Sequence, residues 1–131
     1  MQEGRKCILT NHIYPGAKYD SKSKNLLNPS YNEEYFSILS EFRDSIVIEV
    51  SAHDHFSDVR YRTNKTGNFY YHNMLVSPGV TPIDGQNPGV ATFDIDSITL
   101  TPSNLQITFL PLDKTFGWIT IPNDIELIPF R

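Results

Sequence analysis

The segment Ile46-Val47-Ile48-Glu49-Val50-Ser51-Ala52-His53-Asp54-His55 decides the fold class of this chain. Its first half is rich in β-branched residues, which are typical of a buried β-strand. Its second half is polar and carries two histidines one residue apart, as expected where a strand gives way to a loop. The segment therefore predicts a strand over residues 46–50 with an His-x-His pair after its carboxyl end.

A helix is predicted immediately before this strand. Ser30, followed three residues later by Glu33, matches a capping box at the start of a helix. Residues 14–29 are rich in turn-forming and polar residues, so they predict a long loop that leads into it. Four apolar residues then fall at helical spacing on one face: Tyr35, Phe36, Leu39 and Phe42.

A second strand is predicted at residues 6–10, a short apolar run that suits burial on both faces. The order strand, loop, helix, strand is typical of a crossover between neighbouring parallel strands. His12 follows the first strand, and His53 and His55 follow the second. Because the carboxyl ends of parallel strands meet at one edge of a sheet, we expect the three imidazoles to lie together at that edge.

Histidine in this pattern points to metal chemistry. Neutral imidazole is a ligand for Zn, Fe, Ni and Cu and tolerates Mn beside carboxylates. An His-x-His pair can reach toward one ion or toward two neighbouring ions. The alternative is that these residues are ordinary polar loop residues, as most single histidines are. Their position after two matched strand ends favours metal ligation by His12, His53 and His55.

The rest of the chain has a different character. Turn residues such as Pro78-Gly79 and Asp84-Gly85 separate short β-like runs, which predicts a mainly antiparallel sheet. Residues 97–131 are predicted to form a C-terminal β extension or an arm. The runs lie at residues 59–62, 68–71, 74–76, 90–93, 98–100 and 105–110. The whole chain, residues 1–131, is thus predicted to be one α/β domain with an antiparallel second half.

Composition excludes several classes of function. The net charge is −4 and no basic run occurs, so a nucleic-acid partner is not expected. No apolar run approaches the ~20 residues of a membrane-spanning helix. Cys7 is the one cysteine, which excludes an internal disulfide, and it is predicted to be buried filler. His72 is interpreted as a packed or surface residue. Trp118 is interpreted as a core residue, and the alternatives are that it lines a substrate cleft or anchors a partner. Asn64-Lys65-Thr66 is a glycosylation sequon, which weakly indicates a lumenal or secreted protein.

Three motifs in order carry a family resemblance. They are His12-Ile13-Tyr14-Pro15-Gly16, then Ala52-His53-Asp54-His55, then the segment from Thr81-Pro82 to Asn87-Pro88-Gly89-Val90. Together with the intervening aromatic helix, they resemble the calcineurin-like metallophosphoesterases, and within them the acid-sphingomyelinase-like branch. The resemblance runs from about residue 5 to about residue 96.

The resemblance implies roles for individual residues. His12 and His53 match ligands of the second metal of that family, and His55 matches a ligand of the first. Two residues depart from the pattern: Ala52 replaces a glycine, which would be a poor fit if the backbone there needs positive φ, and Tyr14 replaces a proline, which is expected to alter the lip of the cleft.

The resemblance also implies that this chain is an incomplete, C-terminal half of the domain. The family's fold is a four-layer sandwich, and its N-terminal half supplies an Asp-x-His pair, a bridging aspartate and an Asn-His pair. The complete site would hold two divalent ions (Zn, Mn or Fe) and hydrolyse phosphate mono- or diesters, whereas this chain alone could hold one ion weakly or none. A partner polypeptide would then supply the other half. The alternative is a non-catalytic structural or interaction subunit of a larger assembly, derived from a phosphoesterase. By the same resemblance, the chain is expected in a secreted or endolysosomal compartment.

Overall fold

The computed structural model describes residues 4–18, 21–63, 70–112, 117 and 119–122. Within these ranges the chain forms one α-helix, a short 3-10 helix and nine strands. In chain order they are β1 (Cys7–Thr10), β2 (Ala17–Lys18), β3 (Ser21–Asn25), α1 (Pro29–Glu41), the 3-10 helix (Arg43–Ser45), β4 (Ile46–Ser51), β5 (Asp58–Thr63), β6 (Tyr70–Val76), β7 (Gly89–Ile95), β8 (Pro102–Phe109) and β9 (Ile119–Pro122).

Four strands from the first part of the chain form one sheet, in the order β1-β4-β6-β5. β1 and β4 are parallel, with Ile8 beside Ile48 and Thr10 beside Val50. β6 is also parallel to β4, and β5 is antiparallel to β6. The predicted parallel strand-helix-strand unit is therefore confirmed, and so is the mixed α/β class.

The helix packs against the start of this unit. Phe36 and Leu39 of α1 form a buried cluster with Ile46, and Leu9 of β1 lies against it. The capping-box prediction is wrong, because the helix begins earlier, at Pro29. The side chain of Asn28 accepts a hydrogen bond from the Ser30 amide and caps the helix. Proline suits the position after the cap since it has no amide hydrogen to satisfy.

The predicted loop over residues 14–29 is also corrected. It contains an antiparallel hairpin, in which β2 pairs with β3 through Ala17 beside Asn25 and Lys18 beside Ser21. The stretch is polar and lacks alternating apolar residues, so it carries no strand pattern. Backbone pairing joins its two strands, and the Arg60 side chain donates a hydrogen bond to the Ala17 carbonyl at 2.6 Å.

A second sheet, in the order β7-β8-β9, follows and is antiparallel throughout. Leu105 of β8 is buried in one cluster with Val47, Ile48 and Leu75 of the first sheet. A mainly antiparallel sheet in the second half is thus confirmed, but the runs predicted at 59–62 and 74–76 belong to β5 and β6 of the first sheet. Within residues 97–131, the described strands are β8 and β9. The run predicted at residues 98–100 is not a strand.

Residues 98–100 do not form the predicted strand, and the cause is the neighbouring residue Asp96. Its carboxylate accepts hydrogen bonds from the amides of Thr99 (2.6 Å) and Ile98 (2.9 Å) and from the Thr99 hydroxyl (3.0 Å). These bonds, that of the Thr99 amide first, hold the pKa of Asp96 below its ordinary value. Such a side-chain turn competes with strand formation in spite of the β-branched residues that follow.

Several predictions fall outside the described residues. They concern the sequon at residues 64–66, the first two residues of the run predicted at 68–71, and Trp118. Among the residues that the structure does describe, no helix combines the length and hydropathy needed to span a membrane.

β1 lies at an edge of its sheet. In the described part of the chain β4 is its neighbour in the sheet, and no strand lies on its other side. Cys7 is accordingly exposed, with its sulfur 3.3 Å from the Ser45 carbonyl, and Ile8 is 46% exposed. The prediction that this strand is buried on both faces, with Cys7 as filler, is therefore wrong for the chain as described. The strand has the composition of an interior strand but the position of an edge strand.

This free edge predicts that the isolated chain associates with itself. An apolar edge strand offers its backbone groups to a strand of another molecule. We expect the purified chain to sediment as oligomers, and Ile8→Lys to shift it toward monomer, because a charge on an edge strand opposes such pairing. Sedimentation velocity at matched concentrations measures the shift.

The control is Ile98→Lys, which places the same charge on a residue that is 88% exposed in the turn before β8. That variant should associate as the unmodified chain does. A monodisperse, cooperatively unfolding monomer of the unmodified chain would contradict the prediction.

Candidate functional site

His12 and His53 lie side by side at the carboxyl edge of the parallel sheet. The pairing of β1 with β4 continues past both strands, since the Asn11 amide donates to the Val50 carbonyl (3.1 Å) and the Ala52 amide to the His12 carbonyl (3.0 Å). These two bonds set the loops after the strands against each other. As a result His53 Nδ1 is 3.1 Å from His12 Nε2, and both side chains are exposed.

The geometry of this pair suits a shared ion. The two rings are nearly perpendicular, at 85°, with centroids 5.0 Å apart. Zinc lies about 2.0–2.1 Å from an imidazole nitrogen, so two nitrogens on one ion at tetrahedral or octahedral angles are separated by roughly 2.8–3.4 Å. The observed 3.1 Å between the nitrogens falls in this range. The same distance also suits a direct hydrogen bond between the rings.

The backbone turns sharply between the two histidines of the His-x-His pair. His53 and His55 have φ of 87° and 60°, values that L-residues rarely adopt. The positive φ thus falls on the histidines themselves and not on Ala52, so the alanine does not strain this loop. Backbone strain of this kind concentrates at functional sites, where surrounding contacts maintain it.

Asp54, between the two histidines, points into the protein. It is buried and accepts a hydrogen bond from the Tyr14 hydroxyl. Tyr14 is itself fully buried and packs with Met74 and Val76. The prediction that Tyr14 shapes the lip of a cleft is therefore wrong; its hydroxyl instead ties the His12 loop to the loop that carries His53 and His55.

His55 has surroundings different from those of the other two histidines. It is half-buried, and its Nδ1 lies 3.5 Å from the carbonyl oxygen of Thr81. Among the described residues, no group of three or more His, Cys, Asp or Glu side chains is arranged to hold a metal ion. The structure thus brings His12 and His53 into contact and sets His55 against residues 77–81.

A buried polar network that the sequence analysis did not single out lies directly beneath the pair. Glu49 is completely buried in β4, and its Oε1 accepts hydrogen bonds from Asn11 Nδ2 (2.5 Å) and Ser51 Oγ (3.0 Å). Its Oε2 lies 2.5 Å from Nε2 of His72, which is only 2% exposed. The sequence does contain a sign of this network: Glu49 is the one acidic residue within an apolar run, and a buried acidic group requires partners.

The network holds Asn11, and Asn11 directly precedes His12. The side chain of Asn11 also donates to the Tyr35 hydroxyl at 3.2 Å. Burial first, and then the nearby charge and hydrogen bond of Glu49, raise the pKa of Tyr35 well above its usual range. The phenol of Tyr35 thus keeps its proton within this network. Asn11 is hydrogen-bonded through both its backbone and its side chain at the start of the His12 loop.

The fold and the site together define a mixed α/β unit that presents histidines at the carboxyl edge of a parallel sheet. Acid sphingomyelinase-like phosphodiesterase 3b of Mus musculus is 29% identical to this chain over 120 residues, which cover 85% of the chain. The chain spans 26% of the length of that relative. No protein-family model matches the chain. The similarity relates the chain at a distance to phosphodiesterases of this type.

Proposed function

We propose that this chain is the C-terminal, histidine-supplying half of a binuclear metal-dependent phosphoesterase that hydrolyses phosphate mono- or diesters. The observation that carries the proposal is the convergence of His12 Nε2 and His53 Nδ1, 3.1 Å apart, at the carboxyl edge of the parallel sheet. The similarity to a phosphodiesterase over most of the chain supports it independently. The same similarity leads us to propose a secreted or endolysosomal compartment.

Each histidine has a definite task in this proposal. His12 and His53 hold the second ion, and each must present an unprotonated nitrogen toward it. His55 holds the first ion. The carboxylates and the Asn-His pair come from an N-terminal half, on a partner polypeptide or on a connected segment. Two ions (Zn, Mn or Fe), when bound, supply a water of lowered pKa and clamp the phosphate oxygens.

The structural alternative rests on the same pair of residues. At 3.1 Å the two imidazoles can share a hydrogen bond and join the loops after β1 and β4 without any metal. In that case the chain is a non-catalytic subunit of a larger assembly, and its histidines serve the fold.

The test uses a completed protein, in which this chain is joined to or co-expressed with a polypeptide that carries the Asp-x-His and Asn-His motifs. We expect two divalent ions in each completed molecule and hydrolysis of a chromogenic phosphodiester with added Zn or Mn. The activity should need both ions, because together they hold the attacking hydroxide and the phosphate. Elemental analysis and the hydrolysis rate are measured on the same sample.

The outcomes separate the two functions. Two bound ions without turnover would indicate a degenerate enzyme and contradict catalysis. A completed protein without metal would contradict the proposal and favour the structural alternative. Removal of the ions with a chelator, followed by return of zinc, shows whether lost activity results from lost metal.

A further inference from the structure

His55 is enclosed by the segment of residues 77–81, which we call the strap. The strap begins where the Ser77 amide donates to the Ser51 carbonyl at 2.7 Å. It then passes the His55 backbone, where the Gly79 amide is 3.4 Å from the His55 carbonyl. Its last residue, Thr81, presents its carbonyl oxygen to His55 Nδ1 at 3.5 Å. Both the backbone and the ring of His55 thus face the strap.

Gly79 permits this close approach because it lacks a side chain. A Cβ at this position would lie 2.6 Å from Nδ1, 2.7 Å from Cγ and 2.9 Å from Cβ of His55. These separations are far below van der Waals contact, so any side chain at position 79 must displace the imidazole or the strap. Gly79 is not among the residues with positive φ, so its role here is to leave space.

The second sheet holds the strap in place. The Gly89 amide at the start of β7 donates to the Gly79 carbonyl at 2.8 Å. Gly89 is itself tightly surrounded, since a Cβ there would meet the Pro78 side chain at 3.0 Å and the Thr108 carbonyl at 3.4 Å. Backbone hydrogen bonds thus link β8 to β7 and β7 to the strap, which lies against the ring of His55.

The Thr81 carbonyl favours one form of the imidazole. A carbonyl oxygen only accepts, so the ring nitrogen 3.5 Å from it can donate a hydrogen bond only when it carries the proton. A neutral His55 is then protonated at Nδ1 and has its lone pair on Nε2. Histidine ligands of metals commonly donate their other ring N–H to a carbonyl, which fixes both the tautomer and the orientation of the ring.

We infer that Gly79 and the Thr81 carbonyl are positioning groups that hold His55 as the Nδ1–H tautomer and so present Nε2 to a metal ion. The inference rests on the proposed function for its purpose, the first metal ion. The tautomer itself is a property of the metal-free chain. The antiparallel sheet thereby has a role beyond packing, because it holds the strap that sets the tautomer of His55.

The test compares the metal-free chain, Gly79→Ala and Thr81→Ala by NMR of the histidine ring nitrogens, at a pH of about 8, where free imidazole is neutral. In the unmodified chain the ring-nitrogen shifts of His55 should report the Nδ1–H tautomer. Thr81→Ala is the matched control, since it keeps the backbone carbonyl and should give the same result. Gly79→Ala should shift His55 toward the Nε2–H tautomer and leave the signals of His12 and His53 unchanged.

A second readout applies to the completed protein. Gly79→Ala should lower the affinity for the first ion by about 10- to 100-fold, the range found when the partners of metal ligands are altered, and should spare the second ion. An Nε2–H tautomer of His55 in the unmodified chain would overturn the inference, and that measurement needs no variant that could fail to fold. If the Nδ1–H tautomer is found but the completed protein binds no metal, the proposed function fails and the positioning of His55 stands.

Discussion

Glu49→Ala is expected to destabilise the chain by about 3–5 kcal/mol, because it leaves several buried polar groups without a partner, at a cost of about 1–3 kcal/mol each. The substitution removes the carboxyl group that Asn11, Ser51 and His72 share. The buried side chains of Ser51 and His72 would lose this partner, and Asn11 would keep only its weaker contacts. Domains of this size are stable by only about 5–15 kcal/mol, so the variant should lose much of its stability. Urea denaturation monitored by circular dichroism measures the change.

The matched control is Glu33→Ala, which removes the same side chain from an exposed position on α1. It should change the stability by no more than about 0.5 kcal/mol, since exposed substitutions generally have small effects. Glu49→Ala with a denaturation midpoint equal to that of Glu33→Ala would contradict the importance of the network. Because Asn11 adjoins His12, Glu49→Ala should also bind zinc more weakly than Glu33→Ala does.

The parallel unit could be predicted because its signals are strong and local. The β-branched run at residues 46–50 indicates a strand, and the spacing of apolar residues in α1 indicates a helix with one buried face. Packing of that face on the strand buries Ile46, Phe36 and Leu39 together. The neighbouring position of β1 then follows from the rule for short crossovers. These steps were enough to bring His12 and His53 to one edge.

The remaining features depend on contacts that no local pattern encodes. β3 is a run of serine, lysine and asparagine that forms a strand by backbone pairing with β2. The separate direction of His55 depends on positive φ at two non-glycine residues and on the bond between Asp54 and Tyr14. Glu49 could have been singled out as a charge within an apolar run, but its partner His72 lies on β6, whose parallel place beside β4 only the tertiary fold reveals.

The buried position of His72 also decides which residue can serve as a control for the histidine ligands. Of the two interpretations of His72, packed or on the surface, the structure confirms the first. His72 is hydrogen-bonded to Glu49 in the core. Its removal would destabilise the protein for reasons unrelated to metal. Ser57 is exposed near the His-x-His loop, so Ser57→Ala is the more suitable control for substitutions at the edge of the sheet.

In the completed protein, alanine substitution of any one of His12, His53 and His55 is expected to lower hydrolysis by about 1000-fold. Loss of an ion removes several kcal/mol of transition-state stabilisation, and about 1.36 kcal/mol corresponds to each tenfold change in rate. Ser57→Ala should retain full activity. The measurements are the hydrolysis rate of a chromogenic phosphodiester and the metal content of the same preparations.

The contact between His12 and His53 makes this prediction more specific. If both residues hold one ion, either single substitution releases that ion, and the double variant His12→Ala/His53→Ala should be scarcely less active than each single variant, as for groups that act as a unit. His55→Ala should instead release the other ion. Metal analysis should therefore find that His12→Ala and His53→Ala lose the same ion, while His55→Ala retains it. Independent, multiplicative losses for His12→Ala and His53→Ala would show that the 3.1 Å contact between their nitrogens does not mark a shared ion.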